Sequence, residues 1–131
     1  MLTEKDYCDY ETCVALKELG YDGYCAAYYH LFDDDEDARN SFEYAYGFDF
    51  QNSNNIYRVG APLLYQAQKW LREEKNLHIE VRWYSNMWYE YEVKEVEGKV
   101  IAEGCAFPTY EEALSTAIYM ATEHLKEEKD E

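Results

Sequence analysis

The chain has 131 residues, of which 28 are Asp or Glu and 12 are Lys or Arg, giving a formal charge of −16 with the three histidines neutral. A content of 47% apolar and 18% aromatic residues excludes a disordered acidic tail, because that much apolar surface can offset the entropy of ordering. Length points to one domain over residues 1–131, with an ordered core from about 9 to 126 and a frayed end over 127–131.

The opening residues include Glu4, Lys5 and Asp6, which lack the basic start and apolar run of a signal peptide. No stretch approaches the roughly 20 apolar residues that cross a bilayer, and the negative charge repels anionic lipid. The expected setting is the cytoplasm, without membrane contact. There Cys8, Cys13, Cys25 and Cys105 read as reduced, small apolar side chains rather than disulfides.

From Asp9 to Gly20, a carboxylate cap, then Cys13, Leu16 and Leu19 at helical spacing, then a glycine predict a short amphipathic helix. The run Tyr24 to Phe32 is rich in β-forming aromatics, and from Phe42 to Phe50 every second residue is aromatic, so both are expected as strands. Between them, residues 33–41 read DDDEDARNS and are expected as a long acidic hairpin loop. After the polar break Gln51 to Asn55, Pro62 takes the expected first helical position, with Leu64, Ala67, Trp70 and Leu71 on one side and Asn76 as the left-handed cap.

Alternation of Ile79, Val81 and Trp83 against Glu80, Arg82 and Tyr84, and of Tyr89, Tyr91 and Val93 against Glu90, Glu92 and Lys94, predicts strands with one face in the core. Turns near Ser85-Asn86 and Glu97-Gly98 complete a three-stranded meander. Thr109 and Glu112 form a capping-box pattern ahead of Leu114, Ala117, Ile118, Ala121 and Leu125, which mark the last helix. The order α-β-β-α-β-β-β-α is that of an α+β fold, a mainly antiparallel sheet with helices on one face. The opening ALKEL followed by strands also echoes WLREE followed by strands.

YETCVALKELGYDGYCAAYY, APLLYQAQKWLREEKNLHIEV, YEYEV and PTYEEALSTAIYMATEHL together resemble a family of short proteins encoded by phages and prophages of gut anaerobes. The likeness spans most of the chain apart from roughly Asp33 to Asn55. It implies a mobile-element accessory protein of the bacterial cytoplasm, and it brings no catalytic residues with it.

Cys8, Cys13, Cys25 and His30 are zinc-ligand types, but the spacing lacks a C-x2-C knuckle, and Cys25 and His30 lie five apart in a strand, on opposite sides. Asp33, Asp35 and Asp37 repeat the first half of a calcium loop, yet Ala38 stands where the turn needs glycine and Tyr44 where it needs a bidentate glutamate. No metal and no cofactor are expected. No G-x-S-x-G, C-x-x-C or H-E-x-x-H marks a nucleophile or metalloenzyme, and Glu73/Glu74 and Glu111/Glu112 diverge around their helices. His124 is read as a cation-capable residue at a helix C-terminus.

Residues 61–125 follow the α-β-β-β-α order of a double-stranded RNA-binding domain, but residues 61–131 carry 8 basic against 15 acidic side chains, which disfavours direct nucleic-acid contact. Of the fifteen tyrosines, Tyr44, Tyr46, Tyr89 and Tyr91 are expected in core packing, and Tyr7, Tyr10, Tyr28, Tyr57 and Tyr65 on a contact surface. The function that fits is a non-catalytic protein-interaction module, in a sharper form a mimic of DNA. Its partner would be a basic host or phage protein, docked by Asp33, Asp34, Asp35, Glu36 and Asp37 together with Tyr28, Tyr57 and Tyr65. The alternative is a small enzyme or ligand-binding domain with a pocket between sheet and helices.

Overall fold

The computed structural model describes residues 2–46, 49–53 and 55–129. The α+β class holds, but the strands form two three-stranded antiparallel sheets rather than one. Internal contacts group the chain into two units, Met1–Leu63 and Leu64–Glu131.

In the first unit, helix α1 spans Tyr10–Glu18, and Asp9 caps it by accepting the Thr12 N–H at 3.0 Å. Past its end, Gly20 adopts φ +102°, Gly20 N–H bonds Lys17 C=O and Tyr21 N–H bonds Leu16 C=O. These are the paired bonds that close a helix through a left-handed glycine. Thr12, Cys13, Ala15 and Leu16 form the buried side. The ordered core begins before residue 9, since Tyr7 bridges Leu63 and Cys8 is fully buried.

Strand β1 (Ala27–His30) is central, flanked by β2 (Glu43–Tyr44) and β3 (Arg58–Gly60). Among the described residues of this run, Glu43 and Tyr44 are the ones assigned to a strand with β1, Tyr46 is 82% exposed, and Phe50 makes an isolated bridge to Cys25. Phe48 lies outside the described residues.

The expected acidic loop contains a short helix, α2 (Asp35–Arg39), capped by Asp34, whose carboxylate accepts the Glu36 N–H at 2.8 Å. Its carboxylates stand at the cap and in the first turn, where free N–H groups and the helix dipole favour negative charge, and Arg39 pairs with Glu11. Periodicity alone could not show this, because only Ala38 is buried.

The second unit follows the sequence pattern closely. Helix α3 runs over Leu64–Lys75 and buries Leu64, Ala67 and Leu71, with Trp70 half-buried; Asn76 closes it at φ +56°. Pro62 precedes the helix by two residues, and its carbonyl accepts the Cys8 N–H at 2.9 Å instead of opening the first turn.

Strands β4 (Leu77–Ser85), β5 (Trp88–Glu95) and β6 (Val100–Phe107) form the expected meander in the order β4-β5-β6. Asn86 and Gly98 take positive φ at its turns. The buried face carries Leu77, Ile79, Tyr91 and Val93, while on the other Arg82 engages Glu80, Glu90 and Glu92. Gly104 stands opposite Tyr91 because a Cβ there would come within 2.6 Å of that ring.

Helix α4 (Tyr110–Lys129) packs along all three strands and against α3. Thr109 Oγ1 accepts the Glu112 N–H at 3.1 Å, and Ala113, Leu114, Ala117, Ile118, Ala121 and Thr122 are buried. The helix runs through Lys129, and residues 130 and 131 of the expected frayed end lie outside the described residues. Trp70, Trp83 and Trp88 all belong to this unit. The echo between the two halves is not a repeated topology, since the first strand is central in one sheet and at the edge in the other.

Candidate functional site

The C-terminal part of α4 faces the end of β5. Spacing of four residues puts His124 and Glu128 on one side of the helix, and pairing of Leu77 with Glu95 fixes the last residue of β5 beside the start of β4. The Glu95 backbone is held by the following turn, accepting the Gly98 N–H at 2.8 Å and donating to Lys99 C=O at 2.9 Å. His124 Nε2 lies 3.0 Å from Glu128 Oε1 and 3.8 Å from Glu95 Oε1.

Both are charge contacts, and Nε2 is buried with no hydrogen-bond partner. Among the described residues, these three form the group of His, Cys, Asp and Glu whose ligand atoms come together, all within 4.8 Å of one another. They line a cavity of about 460 Å³ with Lys75, Asn76 and Leu125. Leu125, expected in the buried stripe, is half-buried at this cavity.

The sequence-derived residues are distributed differently. Asp33 to Asp37 are all exposed, on and before α2. Tyr57 and Tyr65 are exposed at 73% and 62%, but they lie in different units.

Tyr28 does not belong to an outer surface. It is buried with Ala45 and Phe50, its hydroxyl donates to Glu43 at 2.8 Å, and Arg58 lies over its ring. That hydrogen bond, followed by the neighbouring His30, holds the Glu43 carboxyl below its usual range. Tyr7 is likewise buried, and Tyr10 half-buried against the Tyr29 ring. Of the tyrosines expected in the core, Tyr91 is buried, Tyr44 and Tyr89 are half-buried, and Tyr46 is exposed.

Cys8, Cys13 and Cys25 are buried as free thiols. Burial pushes Cys8 and Cys13 well above the normal thiol range and Cys25 up to about 12, which keeps all three as unreactive thiols. Cys13 donates to Cys8 C=O at 3.4 Å, and the His30 imidazole stands 3.3 Å from Glu43 and is stacked on Phe32.

A second feature is the tip of the β4–β5 hairpin. Trp83, Met87 and Trp88 are 62%, 73% and 42% exposed, and Tyr84 is exposed beside them. The Trp83 indole N–H is satisfied within the turn by Asn86 C=O at 2.9 Å, so its ring is presented with no unpaired polar group. The expected inward alternation stops at Val81, beyond which β4 has no buried residue. Comparison with protein-family models, curated proteins and solved structures yields no match. Among the described residues, no helix is long and apolar enough to cross a membrane.

Proposed function

We propose that the protein is a non-catalytic interaction module of a phage or other mobile element, acting in a bacterial cytoplasm on a basic host or phage protein. The observation that carries this reading is the β4–β5 tip, where two tryptophans and a methionine stand exposed on a chain of charge −16. Exposed Trp and Met are interface residue types, and a large indole leaves water at little conformational cost when a partner covers it. The exposed carboxylates of α2 supply long-range attraction, which speeds encounter and weakens in salt. A nucleic-acid-binding protein met by DNA mimicry is the sharper form of this partner.

Affinity capture from host lysate at low and high salt tests it, with Trp83→Ser/Trp88→Ser and Asp34→Asn/Asp35→Asn/Glu36→Gln variants beside the unaltered chain. The expected result is a stoichiometric basic protein lost with the tip variant and captured more slowly by the carboxylate variant. Capture unchanged by both sets of substitutions would overturn the reading. The second reading, a ligand-binding domain, is favoured by the cavity at Glu95, His124 and Glu128.

A further inference from the structure

We propose that Glu95, His124 and Glu128 form a zinc-binding site at the mouth of the cavity between α4 and the β5–β6 turn. The sequence pattern predicts no metal, either at Cys8, Cys13, Cys25 and His30 or at the Asp33–Asp37 stretch. None of these residues belongs to the new site, which becomes visible only when β5 and α4 pack.

Three observations carry it. Two carboxylates and an imidazole from two elements bring ligand atoms within 4.8 Å of one another. With zinc bonds of about 2.1 Å, two ligands at a tetrahedral angle lie about 3.4 Å apart. The 3.0 and 3.8 Å separations from Nε2 straddle that spacing, so small rotamer adjustments would seat an ion.

His124 Nε2 is also buried with no hydrogen-bond partner, a state that costs free energy and that coordination relieves. Finally, the group opens on the cavity, leaving room for a water as fourth ligand.

The ligand types select the ion. Imidazole suits zinc and other late divalent metals, whereas calcium and magnesium need an oxygen shell that this group does not supply. Two carboxylates and a neutral imidazole cancel the charge of Zn²⁺. The Glu95 backbone is fixed by its bonds in the turn, and His124 and Glu128 stand one helical turn apart, so the ordering that binding must offset is that of the side chains alone.

Calorimetric titration of the chelator-treated full chain with zinc chloride tests the site, with magnesium and calcium as comparison ions and Co²⁺ as a spectroscopic probe. Expected are one zinc per chain, a rise in melting temperature, and a cobalt spectrum without a thiolate charge-transfer band. His124→Ala, and separately Glu95→Gln/Glu128→Gln, should weaken zinc at least about tenfold, the loss that even an outer-shell change can cause. Circular dichroism of each variant shows that the fold is kept. No zinc uptake, a thiolate band with cobalt, equal binding of magnesium, or a zinc equivalent that survives both variants would each overturn the proposal.

Discussion

The two units reach an antiparallel sheet by different means. Over residues 64–131, strands of nine, eight and eight residues pair along long ladders broken only by local register shifts, and an aliphatic stripe on α4 covers them. Over residues 1–63 the strands have four, two and three residues, and side chains supply what the ladders lack. The Asn52 amide donates to Tyr21 C=O at 2.9 Å and accepts the Gly60 N–H at 2.8 Å, Ser41 accepts the His30 N–H, and Asp22 holds Ser53. Regular periodicity builds one unit and individual polar clamps build the other.

Truncation of the aliphatic stripe should have the largest effect. Ile118→Ala, at a fully buried site, is expected to cost about 2–5 kcal/mol in chemical denaturation. Next comes the clamp: Asn52→Ala strands two buried backbone groups and should cost about 2–4 kcal/mol. A loss well under 1 kcal/mol would show that the short strands hold without it.

Thr12→Val should raise stability by up to about 1 kcal/mol, because the buried Thr12 hydroxyl has no partner to lose. Destabilisation would reveal a bond to that hydroxyl.

The smallest effect is with pH. Glu43, through Tyr28, and Glu92, through Arg82, have folded carboxyl pKa values below the ordinary range. Their stabilisation is therefore present above the ordinary glutamate value of about 4.3 and is lost as pH falls through the lower folded values. Relief of repulsion among 28 carboxylates acts oppositely in milder acid. Melting temperature should hold or rise from pH 7 to about 5.5 and fall below about 4.3, with a shallower final fall in Glu92→Gln. A steady decline already between pH 7 and about 5.5 would mean that paired carboxylates outweigh repulsion throughout.

Legibility in the sequence followed the same division. Helices α1, α3 and α4 and the meander were readable because caps, turn residues and alternating faces repeat over many positions. Strand β3 and helix α2 were not, because Arg58–Gly60 is too short for a period and α2 buries one residue. Tyr28 was misplaced because a half-polar ring gives no sign of which end is wet, and here its hydroxyl has a carboxylate partner at the sheet edge. His124 and Glu128 carried a weak signal in their four-residue spacing, but nothing in the sequence ties Glu95 to them across 29 positions.

The confinement of Trp70, Trp83 and Trp88 to residues 64–131 has a spectroscopic consequence. Selective indole excitation sees the second unit alone, while the first, with nine of the fifteen tyrosines and no tryptophan, stays dark. An emission melt that coincides with far-ultraviolet circular dichroism would mean that both units unfold as one cooperative block. A dichroism transition split from the emission transition would assign the unmatched step to the clamped half, without any label being attached.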